Sequence, residues 1–154
     1  MARRTTRVPP SLTARIAKGA QEGLIQPFIY RAPEVVLGMK WTEKVDIWNL
    51  GVLIWDLLES RQLFDSESRD GKKSKAHLLA EMVALLGPPP VGYLKRRTWT
   101  SMATIPENSL EMSEEYLEGE NKKRFLQFMR KMLTWAPEER YRARELSVHE
   151  WLCC

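Results

Sequence analysis

The stretch VDIWNLGVLIWDLLE, Val45 to Glu59, decides the fold. Its apolar residues stand at Val45, Ile47, Trp48, Leu50, Val52, Leu53, Ile54, Trp55, Leu57 and Leu58. At the helical period of about 100° per residue they cover nearly the whole circumference. A helix that is apolar all round is expected to be buried, with other elements packed on every side. It is too short to cross a bilayer, which takes about 20 apolar residues. Asp46, Asn49, Asp56 and Glu59 also argue against a membrane span. The β-branched residues allow a buried strand, but the length favours a helix. Thr42 is the expected N-cap, its hydroxyl accepting from a first-turn N–H. The pattern predicts a soluble, mainly α domain built around this one buried central helix.

Three further helices are expected. Ser74–Leu86 carries a stripe of Leu78, Leu79, Met82, Val83, Leu85 and Leu86, stopped by Gly87 and Pro88-Pro89-Pro90. Asn121–Leu133 buries Phe125, Leu126, Phe128, Met129, Met132 and Leu133, and a short helix runs over Ala143–Trp151. Residues 60–73 read as a polar loop, 91–118 as irregular, and at most one short strand is expected.

The composition is globular: 154 residues, 44% hydrophobic and 29% charged, with six Trp and a formal net charge of +4. The charge is uneven. Residues 1–31 hold six Lys/Arg against one Glu, whereas the remainder is nearly neutral. The basicity therefore belongs to a leader over 1–25, expected to be disordered, although an Arg-rich, acid-poor start also has the look of a mitochondrial presequence. No nucleic-acid face and no membrane partner are expected of the globular part, residues 26–154. The only cysteines, Cys153 and Cys154, are adjacent and form no disulfide framework, so a reducing compartment, cytoplasmic or nuclear, is the default.

Four short motifs occur in order. Ala32-Pro33-Glu34 precedes the apolar helix, and Asp46, Trp48 and Gly51 lie on it as D-x-W-x-x-G. Pro137 and Arg140 form P-x-x-R, and His149 and Trp151 form H-x-W. In this order and spacing they resemble the C-terminal lobe of a eukaryotic protein kinase, over about residues 26–152. Tyr30-Arg31 before Ala-Pro-Glu, and LLGPPP at Leu85 to Pro90, resemble the branch that holds cyclin-dependent, MAP and SR-protein kinases. The text around them looks most like fungal relatives of SR-protein kinases.

The resemblance implies roles. Glu34 should pair with Arg140 beneath the substrate loop, where a planar guanidinium meets a carboxylate with two parallel hydrogen bonds. Pro27, Tyr30 and Arg31 fall on that loop. Asp46 should accept from backbone N–H groups of a catalytic loop; without the resemblance it reads as a helix-dipole acid near an N-terminus. Trp48 and Trp151 should be structural. Departures are Pro27 where the family has Thr, Ala136 where it has Asp, Arg142 where a Thr often caps, and Glu150 where the last motif commonly has Pro.

Phosphoryl transfer in this family needs a Gly-rich loop, a strand Lys, a catalytic His-Arg-Asp and a metal-binding Asp-Phe-Gly. None occurs: His77 and His149 are followed by Leu-Leu and Glu-Trp. The chain is expected to begin beyond the chemistry of a complete kinase, to hold no catalytic, metal or cofactor residue of its own, and to leave Mg-ATP to the complete family domain. Lys40 and Lys72 are expected on the surface, where phosphate is held loosely.

Glu107, Glu111, Glu114, Glu115, Glu118 and Glu120 form an acidic run with no Lys or Arg between them. In SR-protein kinases acidic groups near this insert dock Arg-rich segments, so Arg/Ser-rich proteins are the implied substrates; read without the family, the run is a solvated loop. By resemblance the function is protein Ser/Thr phosphorylation, with the isolated chain inactive. The alternatives are a non-catalytic peptide- or partner-binding lobe, or a truncated product with no independent role.

Overall fold

The computed structural model describes residues 19–67, 71–94 and 103–153. Their order is α1 (Pro33–Val36), α2 (Lys44–Glu59), α3 (Lys75–Leu86), α4 (Val91–Leu94), α5 (Leu110–Ser113), α6 (Gly119–Met132) and α7 (Ala143–Leu146). The chain is mainly helical. Among the described residues extended pairing is limited to two isolated bridges, Gln21 with Trp41 and Glu67 with Lys73. No described helix is long and apolar enough to cross a membrane.

Packing follows the stripes. α2 buries Val45, Trp48, Gly51, Val52, Trp55 and Glu59, and α6 buries Phe125, Leu126, Phe128, Met129 and Met132. The two helices meet at Gly51, where a Cβ would stand 3.1 Å from both Leu133 Cδ2 and Met132 Cβ. A Cβ there would be tight, so the Leu133 and Met132 side chains would have to give way by a few tenths of an ångström. α3 packs on α1. It opens with Ser74 Oγ accepting from Ala76 N at 3.2 Å, and Gly87 ends it at φ 80°. Trp48 stacks on Phe64, and Trp55 on Phe125, with centroids 6.1 and 5.9 Å apart.

The structure corrects several expectations. α2 starts at Lys44, with Glu43 in the cap position and no side-chain cap. Val45 N and Asp46 N reach back three residues, to the carbonyls of Thr42 and Glu43, so the entry is wound tightly and Thr42 Oγ1 accepts only from Lys44 N at 3.4 Å. Nor is α2 covered on every side. Leu50, Leu53 and Leu57 are 42%, 41% and 73% exposed, and with exposed Asp46 they form a stripe at helical spacing along one face. α6 begins at Gly119, where φ is 57°. α7 stops at Leu146, because turns closed by His149 N to Leu146 O and Leu152 N to His149 O swing the chain round. That return sets Trp151 5.0 Å from Phe125 and 5.1 Å from Phe128.

The leader expected over 1–25 lies outside the described residues for 1–18. Gln21 to Ile25 belong to the packed body: Gln21 and Trp41 exchange two backbone hydrogen bonds, and Ile25 lies against the core. Cys153 is exposed, and Cys154 is outside the described residues.

Candidate substrate loop and its buried clamp

The loop is built from residue 26 onward. Gln26 is buried and sits at φ 70°, left-handed for a residue with a Cβ. Three hydrogen bonds hold it there. Its Nε2 donates to Val45 O at 2.7 Å, its Oε1 accepts from Ala32 N at 3.1 Å, and its carbonyl accepts from Arg31 Nε at 3.2 Å. Pro27 then leads into a tight turn over Phe28–Tyr30. The Arg31 guanidinium lies 5.2 Å from the Phe28 ring centroid, and burial lowers its pKa from the usual arginine value.

Tyr30 joins the loop to α2. Its hydroxyl donates to Asp56 Oδ2 at 2.6 Å, while Asp56 Oδ1 accepts from Leu63 N at 2.8 Å. The hydrogen bond to Asp56, burial and the Asp56 charge together push the phenol up to about 12.

Beneath the loop, α1 presents Glu34 and the segment before α7 presents Arg140, both with fully buried side chains. Arg140 Nη1 donates to Glu34 Oε1 at 2.9 Å and Nη2 to Glu34 Oε2 at 3.1 Å. The same two nitrogens also donate to Lys44 O at 2.7 Å and Thr134 O at 3.0 Å. The guanidinium carbon lies 5.3 Å from the Trp48 ring centroid, and Lys44 Nζ donates to the Arg140 carbonyl. One cation thus ties together α1, the start of α2 and the loop after α6. The two-pronged geometry requires arginine.

The remaining site residues stand apart. Asp46 is exposed in the first turn of α2. Lys40 is exposed and pairs with Glu22 at 3.7 Å. The acidic run meets cations brought from elsewhere in the chain. Glu111 pairs with Arg130, Glu114 with Lys122 at 3.1 Å, Glu115 with Arg61 at 3.1 Å, and Glu120 with Lys123 and Arg124 at 3.5 and 3.6 Å. For Glu111, burial is the largest single influence and raises the carboxyl pKa, but the Arg130 hydrogen bond and charge, its own backbone amide and Ser109 together outweigh it, so the net shift is downward. Glu107 and Glu118 are exposed. A cleft of about 220 Å³ opens between the loop after α2, α3 and Pro106, with Asp65 and Glu81 in its wall. Glu81 is raised by burial even though it accepts from the Ser66 and Asp65 amides.

Gln26 and Asp56 are the loop-holding residues that the sequence concealed. Glutamine carries no local signal for a left-handed turn. Asp56 was visible only as a second acid on an apolar helix. Among the described residues no three His, Cys, Asp or Glu side chains group so as to hold a metal ion.

The chain is helical, and Glu34 of Ala-Pro-Glu pairs with Arg140 of P-x-x-R. Residues 15–152 match the protein kinase domain family, and the chain belongs to that family. It is 56% identical over 142 residues to a serine/threonine protein kinase of Aspergillus fumigatus, covering 85% of this chain and 36% of that one. It is 32% identical to "Probable serine/threonine-protein kinase sky1" of Dictyostelium discoideum, over 83% of this chain and 22% of the relative. With human dual specificity tyrosine-phosphorylation-regulated kinase 4 the identity is 28%, over 83% and 26%. The chain therefore spans about a third or less of the length of these relatives.

Proposed function

We propose that this chain is the substrate-side part of a protein Ser/Thr kinase domain, and that alone it neither holds Mg-ATP nor transfers phosphate. The carrying observation is an asymmetry. The substrate loop is fixed by the Gln26 hydrogen bonds, Tyr30–Asp56 and Glu34–Arg140, whereas the sequence lacks the Gly-rich loop, His-Arg-Asp and Asp-Phe-Gly. Phosphoryl transfer works by positioning and charge stabilisation, so missing ligands are not replaced by weaker ones. Asp46 stands exposed in the first turn of α2.

The second reading is a non-catalytic lobe that binds Arg/Ser-rich proteins in the cytoplasm or nucleus. The acidic wall formed by Asp65 and Glu81 favours it. The self-paired run at Glu111 to Glu120 weakens it, because those charges are already partly neutralised. One experiment tests both readings. Calorimetry with Mg-ATP is expected to show no saturable heat. An Arg/Ser peptide is expected to bind weakly, and less so at higher salt, because exposed charges are screened within about 10 Å at 0.1 M. Stoichiometric, Mg-dependent ATP binding, or phosphate transfer that survives repurification, overturns the first reading. Peptide binding that is absent at low salt, or indifferent to salt, overturns the second.

A further inference from the structure

The C-terminal end of α2 carries a buried carboxyl that the kinase reading does not use. Glu59 is 2% exposed, and its side chain is fully enclosed. Its Oε2 accepts from Glu115 N at 3.3 Å, while its Oε1 is buried without a hydrogen-bond partner. Arg61 Nη2 comes no closer than 3.8 Å, and it is shared with Glu115 Oε1 and the Ser113 carbonyl. A second buried carboxylate, Glu114, accepts from Tyr116 N at 2.9 Å and Leu117 N at 2.5 Å, and pairs with Lys122 of α6. Residues 113–117 are thus fastened to the end of α2 and the start of α6 mainly through carboxylates.

We propose that Glu59 is a proton-operated latch, which holds residues 113–117 against the end of α2 when neutral and loosens them when it ionises. Ionised, Glu59 adds a third negative charge beside Glu114 and Glu115, with one oxygen cut off from both water and donors. Neutral, it keeps the Glu115 N–H bond and removes the repulsion. Two groups oppose this: the Glu115 N–H, which bonds a carboxylate more strongly than a neutral carboxyl, and Arg61, which is about half exposed and divided among three acceptors. Burial is the main cause that raises the carboxyl pKa, and Glu114 and Glu115 add to it. Because the folded chain then binds this proton more tightly than the unfolded chain does, the stabilisation is full below the unfolded carboxylate pKa and is lost as pH rises through the folded one.

Amide hydrogen exchange of the full chain across pH 4 to 8, corrected for intrinsic rates, tests the latch. Protection at Glu115, Tyr116 and Leu117 is expected to fall with rising pH. The fall is up to about tenfold for each unit by which the Glu59 pKa exceeds that of a free carboxyl. Glu59→Gln keeps the acceptor and cannot ionise, so its profile is expected to be flat. The same slope in Glu59→Gln, or parental protection that is constant or rises with pH, overturns the proposal. A carbon-13 titration of the parental Glu59 carboxyl gives a second reading that does not depend on the variant folding. A midpoint above about 4.3 supports the latch, and one at or below that free-glutamate value overturns it.

Discussion

Removing Arg140 is the most informative single perturbation of this chain. Arg140→Ala deletes both donors to Glu34 and the donors to the Lys44 and Thr134 carbonyls. It also empties the space over Trp48. Glu34 would then be an unpaired carboxylate with no exposed surface. Breaking a buried pair from one side costs about 3–5 kcal/mol, and two part-buried carbonyls lose their donor as well. A domain of this size is stable by about 5–15 kcal/mol, so a third or more of the stability is at stake. With a urea slope of about 1–3 kcal/mol per M, the midpoint should fall by about 2 M. The assay is urea unfolding followed by Trp fluorescence. A control separates the lost charge from the lost pair: Glu34→Gln with Arg140→Met removes both charges and should recover much of the deficit, because well-packed neutral replacements of buried pairs are often tolerated. If the unfolding curves of Arg140→Ala and the parent coincide, the clamp does not hold the loop and the reasoning fails.

Two more predictions concern the loop and the open face. The Tyr30 phenol, raised from about 10 to about 12, stabilises the fold fully below pH 10 and loses that stabilisation as pH climbs through 12; absorbance titration near 295 nm should show one late-ionising tyrosine that Tyr30→Phe removes, and a parental titration with no late component would refute the Asp56 contact. The apolar stripe Leu50, Leu53 and Leu57 should bind a hydrophobic dye; Leu53→Ser with Leu57→Ser should lower the fluorescence severalfold, whereas an unchanged signal would place the dye elsewhere.

The sequence by itself determined the helical class, the apolar and amphipathic stretches and the order of the kinase motifs, because these are local patterns of residue type and spacing. Gly51, Glu34 and Arg140 were legible for the same reason: they carry distinctive chemistry within short motifs. Only the tertiary structure decided which charges are spent. Glu111, Glu114 and Glu115 read as an uninterrupted acidic run along the chain, yet folding brings Arg130, Lys122 and Arg61 to them. Coulomb interaction depends on distance through space, and sequence spacing does not give it. Gln26 was hidden for a related reason. Its left-handed backbone is held by Val45, Ala32 and Arg31, and Val45 adjoins it only after α2 has packed against the loop. The coverage of α2 was also undecided: apolar residues on every face specify a helix that seeks neighbours, but which faces find them depends on what the rest of the chain supplies, and here Leu50, Leu53 and Leu57 remain open.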